Sequence, residues 1–161
     1  MTTVWRFCRV PPDSCLLRSA SPTDGTMRAL LAVAMGATTT RPGVLAIDDE
    51  PELLDVVKRS LEPAGFDVFT ALSGHEGVEV YEKNWKSIQL VLLDFLMPEM
   101  TGDLVFECLK RQNPDVRTIL LTGCDDGVAT RMFQEGLFGY IHKPFHLEDF
   151  VRQVHEAVDS I

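Results

Sequence analysis

Five polar residues stand where a run of apolar residues ends. Asp48 and Asp49 follow Val44-Leu45-Ala46-Ile47, Asp94 follows Leu90-Val91-Leu92-Leu93, Thr122 closes the run from Arg117, and Lys143 comes just after Leu137 to Ile141. Three carboxylates gathered at one place repel one another unless a cation or a proton offsets them. Oxygen ligands of this kind suit a hard divalent ion such as Mg²⁺, which keeps several waters and leaves room for a phosphoryl group. A hydroxyl and an ammonium opposite that ion would stabilise the charge of a transferring phosphoryl group while Asp94 attacks in line. No one of these residues is diagnostic. An Asp after a strand more often caps a helix or begins a turn, so the chemistry rests on bringing all five together.

The elements that would do so are legible as alternating patterns. The stretch Leu90 to Pro98 is central: an aliphatic run of this kind reads as a strand buried on both faces, and Pro98 cannot donate to a ladder. Val44 to Ile47 is a first strand, and Pro51 sits where a first helical turn tolerates it. Leu53, Leu54, Val57 and Leu61 then repeat at helical spacing until Pro63 and Gly65. Asp67 to Ala71 is a second strand, and Ser73-Gly74-His75-Glu76 has capping-box spacing. The helix after the third strand carries Leu104, Val105, Cys108 and Leu109 and ends ahead of Pro114. Arg117 to Thr122 is a fourth strand, followed by a helix with Val128, Ala129, Met132 and Phe133 that ends at Gly136. Leu137 to Ile141 is a fifth strand, and Leu147, Phe150, Val151, Val154 and Val158 mark an amphipathic last helix. This rhythm predicts an α/β fold, a doubly wound five-stranded parallel sheet with right-handed crossovers, in a single domain. Its strand ends meet along one edge, where such sheets bind ligands.

Composition agrees. A chain of 161 residues, 45% hydrophobic, suffices for one buried domain and a tail. Cys8, Cys15, Cys108 and Cys124 form neither a CxxC pair nor a disulfide scaffold, which fits free thiols in a reducing compartment. Residues 1–43 carry +3 and residues 44–161 carry −12, which make the net −9. So acidic a body disfavours direct nucleic-acid binding. Residues 1–43, with Pro11, Pro12, Pro22 and Pro42 and no sustained period, read as an irregular or disordered tail. The apolar patch Ala29 to Ala37 behind Arg28 is too short to span a bilayer and only weakly like a secretory signal. A start at Met27 or Met35 is as good a reading of it, and a cytoplasmic protein with no membrane partner is expected.

Residues 44 to 159 resemble the receiver domain of two-component response regulators, with the extent and element order of the stand-alone, chemotaxis-type regulator and its flavodoxin-like fold. The resemblance is carried by Asp48-Asp49, by Asp94-x-x-Met97-Pro98 with Gly102, by Thr122-Gly123 and by Lys143-Pro144. It implies that Asp94 is a phosphoacceptor, charged by a phosphohistidine on a histidine kinase or histidine phosphotransfer protein. It further implies Mg²⁺ held by Asp49, Asp94 and the backbone carbonyl of Leu96, with Asp48 acting through water, and Thr122, Gly123 and Lys143 around the phosphoryl group. A cis Lys143-Pro144 bond is expected on the same ground. Thr122 and Tyr140 would form the switch, reshaping the face of the fourth helix, fifth strand and fifth helix for a downstream protein, with a homodimer as one form of output. Leu96 and Cys124 flank the path by which water reaches the phosphoryl group, and neither orients water well; slow self-dephosphorylation is expected.

The competing class is an enzyme, a Mg²⁺-dependent phosphatase with an Asp nucleophile. Such enzymes usually place a second acid two residues after the nucleophile, where this chain has Leu96. The chain therefore reads as a signalling module and not an enzyme. His142 and His146 are separated by Pro144 and do not make a helical metal pair. His75 and His155 read as solvated helix residues, and Met97, Met100 and Met132 as packing.

Overall fold

A computed structural model describes residues 41–123 and 126–160, the latter without the side chains of 126–128. Residues 1–40 of the expected tail, and Cys124, lie outside the described residues. Five strands alternate with five helices: β1 Gly43–Ile47, α1 Pro51–Leu61, β2 Asp67–Ala71, α2 Gly74–Asn84, β3 Ile88–Asp94, α3 Gly102–Gln112, β4 Thr118–Thr122, α4 Asp126–Gln134, β5 Gly139–His142 and α5 Leu147–Asp159. All pairings are parallel, in the order β2-β1-β3-β4-β5. The chain reverses direction across the sheet between β1 and β3, so the crevice of an open α/β sheet falls beside those two strands.

Burial on both faces explains why the strands are unbroken apolar runs. Val44, Ala46, Leu90, Leu92, Ile119, Leu121 and Ile141 pack into one core with Leu54, Val57, Leu61, Phe150 and Val154 of α1 and α5. Leu45, Ile47, Val91, Leu93 and Leu120 pack into a second with Tyr81 of α2, Val105, Phe106 and Leu109 of α3, and Met132 of α4. Each aliphatic or aromatic side chain so buried contributes about 1.5–3 kcal/mol relative to exposure. The alternation along each strand therefore pins the register of both layers at once.

Several element ends differ from the sequence expectation, always where a side-chain pattern is a poor guide to backbone pairing. β3 starts at Ile88 and ends at Asp94, so Phe95 to Pro98 belong to a loop and Pro98 does not close the strand. β1 takes in Gly43 as well, and β4 begins at Thr118. β5 is displaced toward its carboxyl end, to Gly139–His142, and just ahead of it the Phe138 amide donates to the Thr118 carbonyl of β4. The capping box is present in modified form: Ser73 Oγ accepts from the Glu76 amide at 3.2 Å, and Glu76 Oε2 accepts from the Leu72 amide at 2.7 Å. His155 is not solvated but half-buried, its ring 4.6 Å from that of Phe66.

Candidate functional site

Pairing register determines what the carboxyl edge of the sheet holds. Ile47 is level with Leu93, so Asp48, the next residue, arrives beside Asp94. Thr122 is level with His142, which places Lys143 one residue beyond the end of β4. The Lys143 amide donates to the Thr122 carbonyl at 2.9 Å, and the following Lys143-Pro144 bond is cis, as expected. Gly102 sets the loop between β3 and α3. Its amide donates to the Phe95 carbonyl at 2.9 Å, and a Cβ there would stand 2.6 Å from the Asp94 carbonyl oxygen.

Within this frame the Lys143 ammonium donates to Asp48 Oδ2 and to Asp94 Oδ1, each at 2.7 Å. Asp48 and Asp94 are 1% and 6% exposed, and the second oxygen of Asp48 accepts from the Glu50 amide at 2.9 Å. Asp49 is the more open member of the trio; one carboxylate oxygen from each of Asp48, Asp49 and Asp94 lies within 4.8 Å of the others. Thr122, 4% exposed, ends the adjacent strand, and Gly123 after it faces solvent. The Leu96 side chain is 59% exposed and points its apolar surface to water. Tyr140 is half-buried, its ring edge-on to Phe133 of α4 at 5.7 Å and to His142 at 5.1 Å.

The electrostatics follow from burial. Desolvation pushes the Asp94 carboxyl above the ordinary carboxylate range, against the hydrogen bond and charge of Lys143, while the charge of Asp48 pushes the same way. Burial by itself would lower Lys143, but hydrogen bonds to Asp48 and Asp94 and their charges outweigh it and hold the ammonium above the usual lysine range. Three carboxylates against one ammonium leave a surplus of negative charge and of oxygen lone pairs. That donor set, all oxygen and confined to a few ångströms, fits a hard divalent cation such as Mg²⁺.

Two groups near the nest escape a reading of the sequence. Leu72, Ser73 and Gly74, after β2, face Met97, Pro98, Glu99 and Met100 across a cavity of about 200 Å³ that Asp49 also lines. Arg131 of α4 donates to Asp103 of α3 at 2.8 Å. The exposed Leu72, an apolar residue past the end of its strand, is the one sequence signal that could have marked the first; a pair from two separate helices leaves none.

An open parallel sheet with an acidic nest at its switch point defines the class: a doubly wound α/β protein whose ligand edge carries an all-oxygen donor set. The chain belongs to the response regulator receiver domain family, whose model matches residues 44–155. It is 31% identical over 118 residues to the sensor kinase CckA of Brucella abortus, covering 73% of this chain and 12% of that protein. To the transcriptional regulatory protein GlrR of Escherichia coli it is 32% identical over 120 residues, covering 73% of this chain and 26% of that protein. The chain thus spans between about an eighth and a quarter of these two relatives. Among solved structures, a response regulator receiver domain protein of Clostridium thermocellum is similar, with 33% identity and a TM-score of 0.70 over 74% of this chain and 95% of that one. The chemotaxis protein CheY4 of Vibrio cholerae matches with 25% identity and a TM-score of 0.68, over 73% and 98%. Receiver domains serve signalling, bind Mg²⁺ in general, and interact with histidine kinases and downstream targets. Among the described residues no helix is long and apolar enough to cross a membrane.

Proposed function

We propose that this chain is a cytoplasmic, phosphorylatable receiver in which Asp94 accepts a phosphoryl group from a phosphohistidine on a histidine kinase or histidine phosphotransfer protein. The observation that carries the reading is the Lys143 ammonium bridging buried Asp48 and Asp94 at 2.7 Å, with Asp49 alongside. An Asp94 oxygen forms the new O–P bond as the P–N bond breaks, and the electron pair leaves on the histidine nitrogen. Lys143 serves twice. Before transfer its hydrogen bond and charge oppose the burial that raises the Asp94 pKa, and afterwards it lies against the oxygens of the acyl phosphate. The Thr122 hydroxyl and the Gly123 amide donate to the same oxygens. Asp49, Asp94 and the Leu96 carbonyl would hold Mg²⁺, with Asp48 acting through water. The ion, when bound, supplies the positive charge that lets a phosphoryl group approach the carboxylates.

Output follows from the position of Thr122 at the end of β4. A Thr122 side chain drawn toward the phosphoryl group leaves room for Tyr140 to turn inward, away from Phe133, and this alters the face of α4, β5 and α5 that a downstream protein reads. The exposed, apolar Leu96 offers nothing to orient a hydrolytic water or to act as a general acid, which supports a long-lived phosphoryl group and disfavours a phosphatase. The test is incubation with acetyl phosphate and Mg²⁺ followed by intact mass. The native chain gains the mass of one phosphoryl group, and Asp94→Asn gains none; equal labelling of the two would overturn the assignment.

A further inference from the structure

The cavity between the loops after β2 and β3 shares Asp49 with the acidic nest but has a different character. Its walls are largely apolar, from Leu72, Met97, Pro98 and Met100, and its volume is about 200 Å³. That is below the ~300–1,000 Å³ of pockets that enclose a whole small molecule, and suits a single side chain. Leu72 is 50% exposed at its lip, and Leu96, 59% exposed, projects from the same β3–α3 loop. They are two of the six large hydrophobic side chains exposed among the described residues. Leu72 at a concave apolar wall, with exposed Leu96 on the loop that forms the other side, marks a surface that gains by being covered.

Charge decides what covers it. Asp49 and Glu99 line the cavity, no Lys or Arg does, and Glu76 is held at the lip by the hydrogen bond it accepts from the Leu72 amide at 2.7 Å. Exposed Glu50 and Glu52 follow Asp49 in the chain. An anionic ligand is repelled here, whereas a basic protein surface is attracted. Position adds a second constraint. A protein that delivers phosphate to Asp94 covers about 800 Å² of this chain if the interface is of ordinary size, and a cavity lined by Asp49 falls beneath it.

We propose that this cavity seats one aliphatic side chain of the phosphodonor protein, flanked there by Lys or Arg and standing within a turn or two of the phosphorylated histidine. The proposal rests on Asp94 being the phosphoacceptor. It assigns to Leu72, Met100 and Glu99 a role in choosing the donor, separate from the chemistry at Asp94. A small donor, which reaches Asp94 without covering the cavity, is indifferent to them.

The experiment uses the full chain and two donors. Histidine kinases of the encoding organism are autophosphorylated with labelled ATP, and the one that transfers fastest to the native chain is the protein donor; acetyl phosphate with Mg²⁺ is the small one. Leu72→Asp is expected to lower kcat/KM from the kinase by about tenfold or more, chiefly through KM. Glu99→Lys lowers it less, and that loss shrinks with added salt. Labelling of both variants by acetyl phosphate stays within about twofold of native, which also reports that they are folded. Kinase-borne transfer to Leu72→Asp that matches the native rate would overturn the proposal. Failure of acetyl phosphate to label Asp94 of the native chain would instead overturn the phosphoacceptor reading on which it rests.

Discussion

The two ends of the sheet are built from the same strands and treat polar groups in opposite ways. At the amino end, polar groups close the structure. The Gly43 amide donates to the Ser87 carbonyl at 3.1 Å, and Arg117 donates to the Ala157 carbonyl at 3.0 Å and to Ser160 Oγ at 2.9 Å while lying 5.1 Å over the Phe138 ring. The Ala157 carbonyl in the last turn of α5 is thereby satisfied by a cation, as helix ends favour. At the carboxyl end, three carboxylates cluster around one ammonium that pairs with only the two buried ones, Asp48 and Asp94. One end spends its polar side chains on closure, and the other stores uncompensated charge where a ligand can meet it. The proposed function sits at the end the fold leaves least satisfied, in keeping with the way perturbed groups gather at working sites.

This contrast can be broken at either end, and the largest effect is expected at Lys143. Lys143→Met leaves Asp48 and Asp94 buried without their cation, so denaturant unfolding should show a loss of about 3 kcal/mol. Mg²⁺ should restore part of that loss, because an ion that binds only the folded state adds to its stability. Labelling by acetyl phosphate should collapse whether or not the ion is added. At the other end, Arg117→Ala removes the clamp on α5 and should cost about 1–2 kcal/mol. Its rate of labelling should nonetheless stay near native, since nothing at the acidic nest changes.

A smaller effect, with a pH signature, is expected at Asp103, beside the carboxyl edge. The hydrogen bond from the Thr101 hydroxyl, with help from the Leu104 amide and the Arg131 charge, holds its carboxyl below the ordinary range. A lowered pKa in the folded state means stabilisation that is fully present above the unfolded value, near ~3.9, and is lost as pH falls through the folded value. Asp103 is 30% exposed, and its ion pair is open to solvent and screened. Asp103→Asn should therefore cost only about 0.5–1 kcal/mol at neutral pH, a difference that closes as unfolding is followed below the unfolded pKa. The smallest effect should be at Thr118. Its buried hydroxyl is the one such side-chain group without a hydrogen-bond partner among the described residues. Thr118→Val keeps the shape and drops an unsatisfied group, so stability should rise or stay within about 0.5 kcal/mol of native.

Legibility in the sequence divides along the same physical line. Apolar runs at Val44, Leu90 and Ile119 announce strands because burial on both faces demands unbroken aliphatic residues, and each ends next to the polar residue it delivers to the edge. Helix starts at Pro51 and Ser73 are equally plain, since capping chemistry is local. Strand ends at β3 and β5 are not, because they depend on which neighbour a backbone amide finds.

The chain by itself determined that Asp48, Asp49, Asp94, Thr122 and Lys143 would end up at one edge of a parallel sheet, since alternating periods of two kinds and the parallel rule leave little other choice. Tertiary structure alone decided that Lys143 takes Asp48 and Asp94, across 95 and 49 residues of chain, as its two partners. It alone decided that Asp49 stays open, that Phe133 meets Tyr140, and that Leu72 faces Met100 across a hollow. The reason is range: periodicity and capping act over a few residues, whereas strand order and register bring together groups whose separation along the chain carries no signal of their meeting.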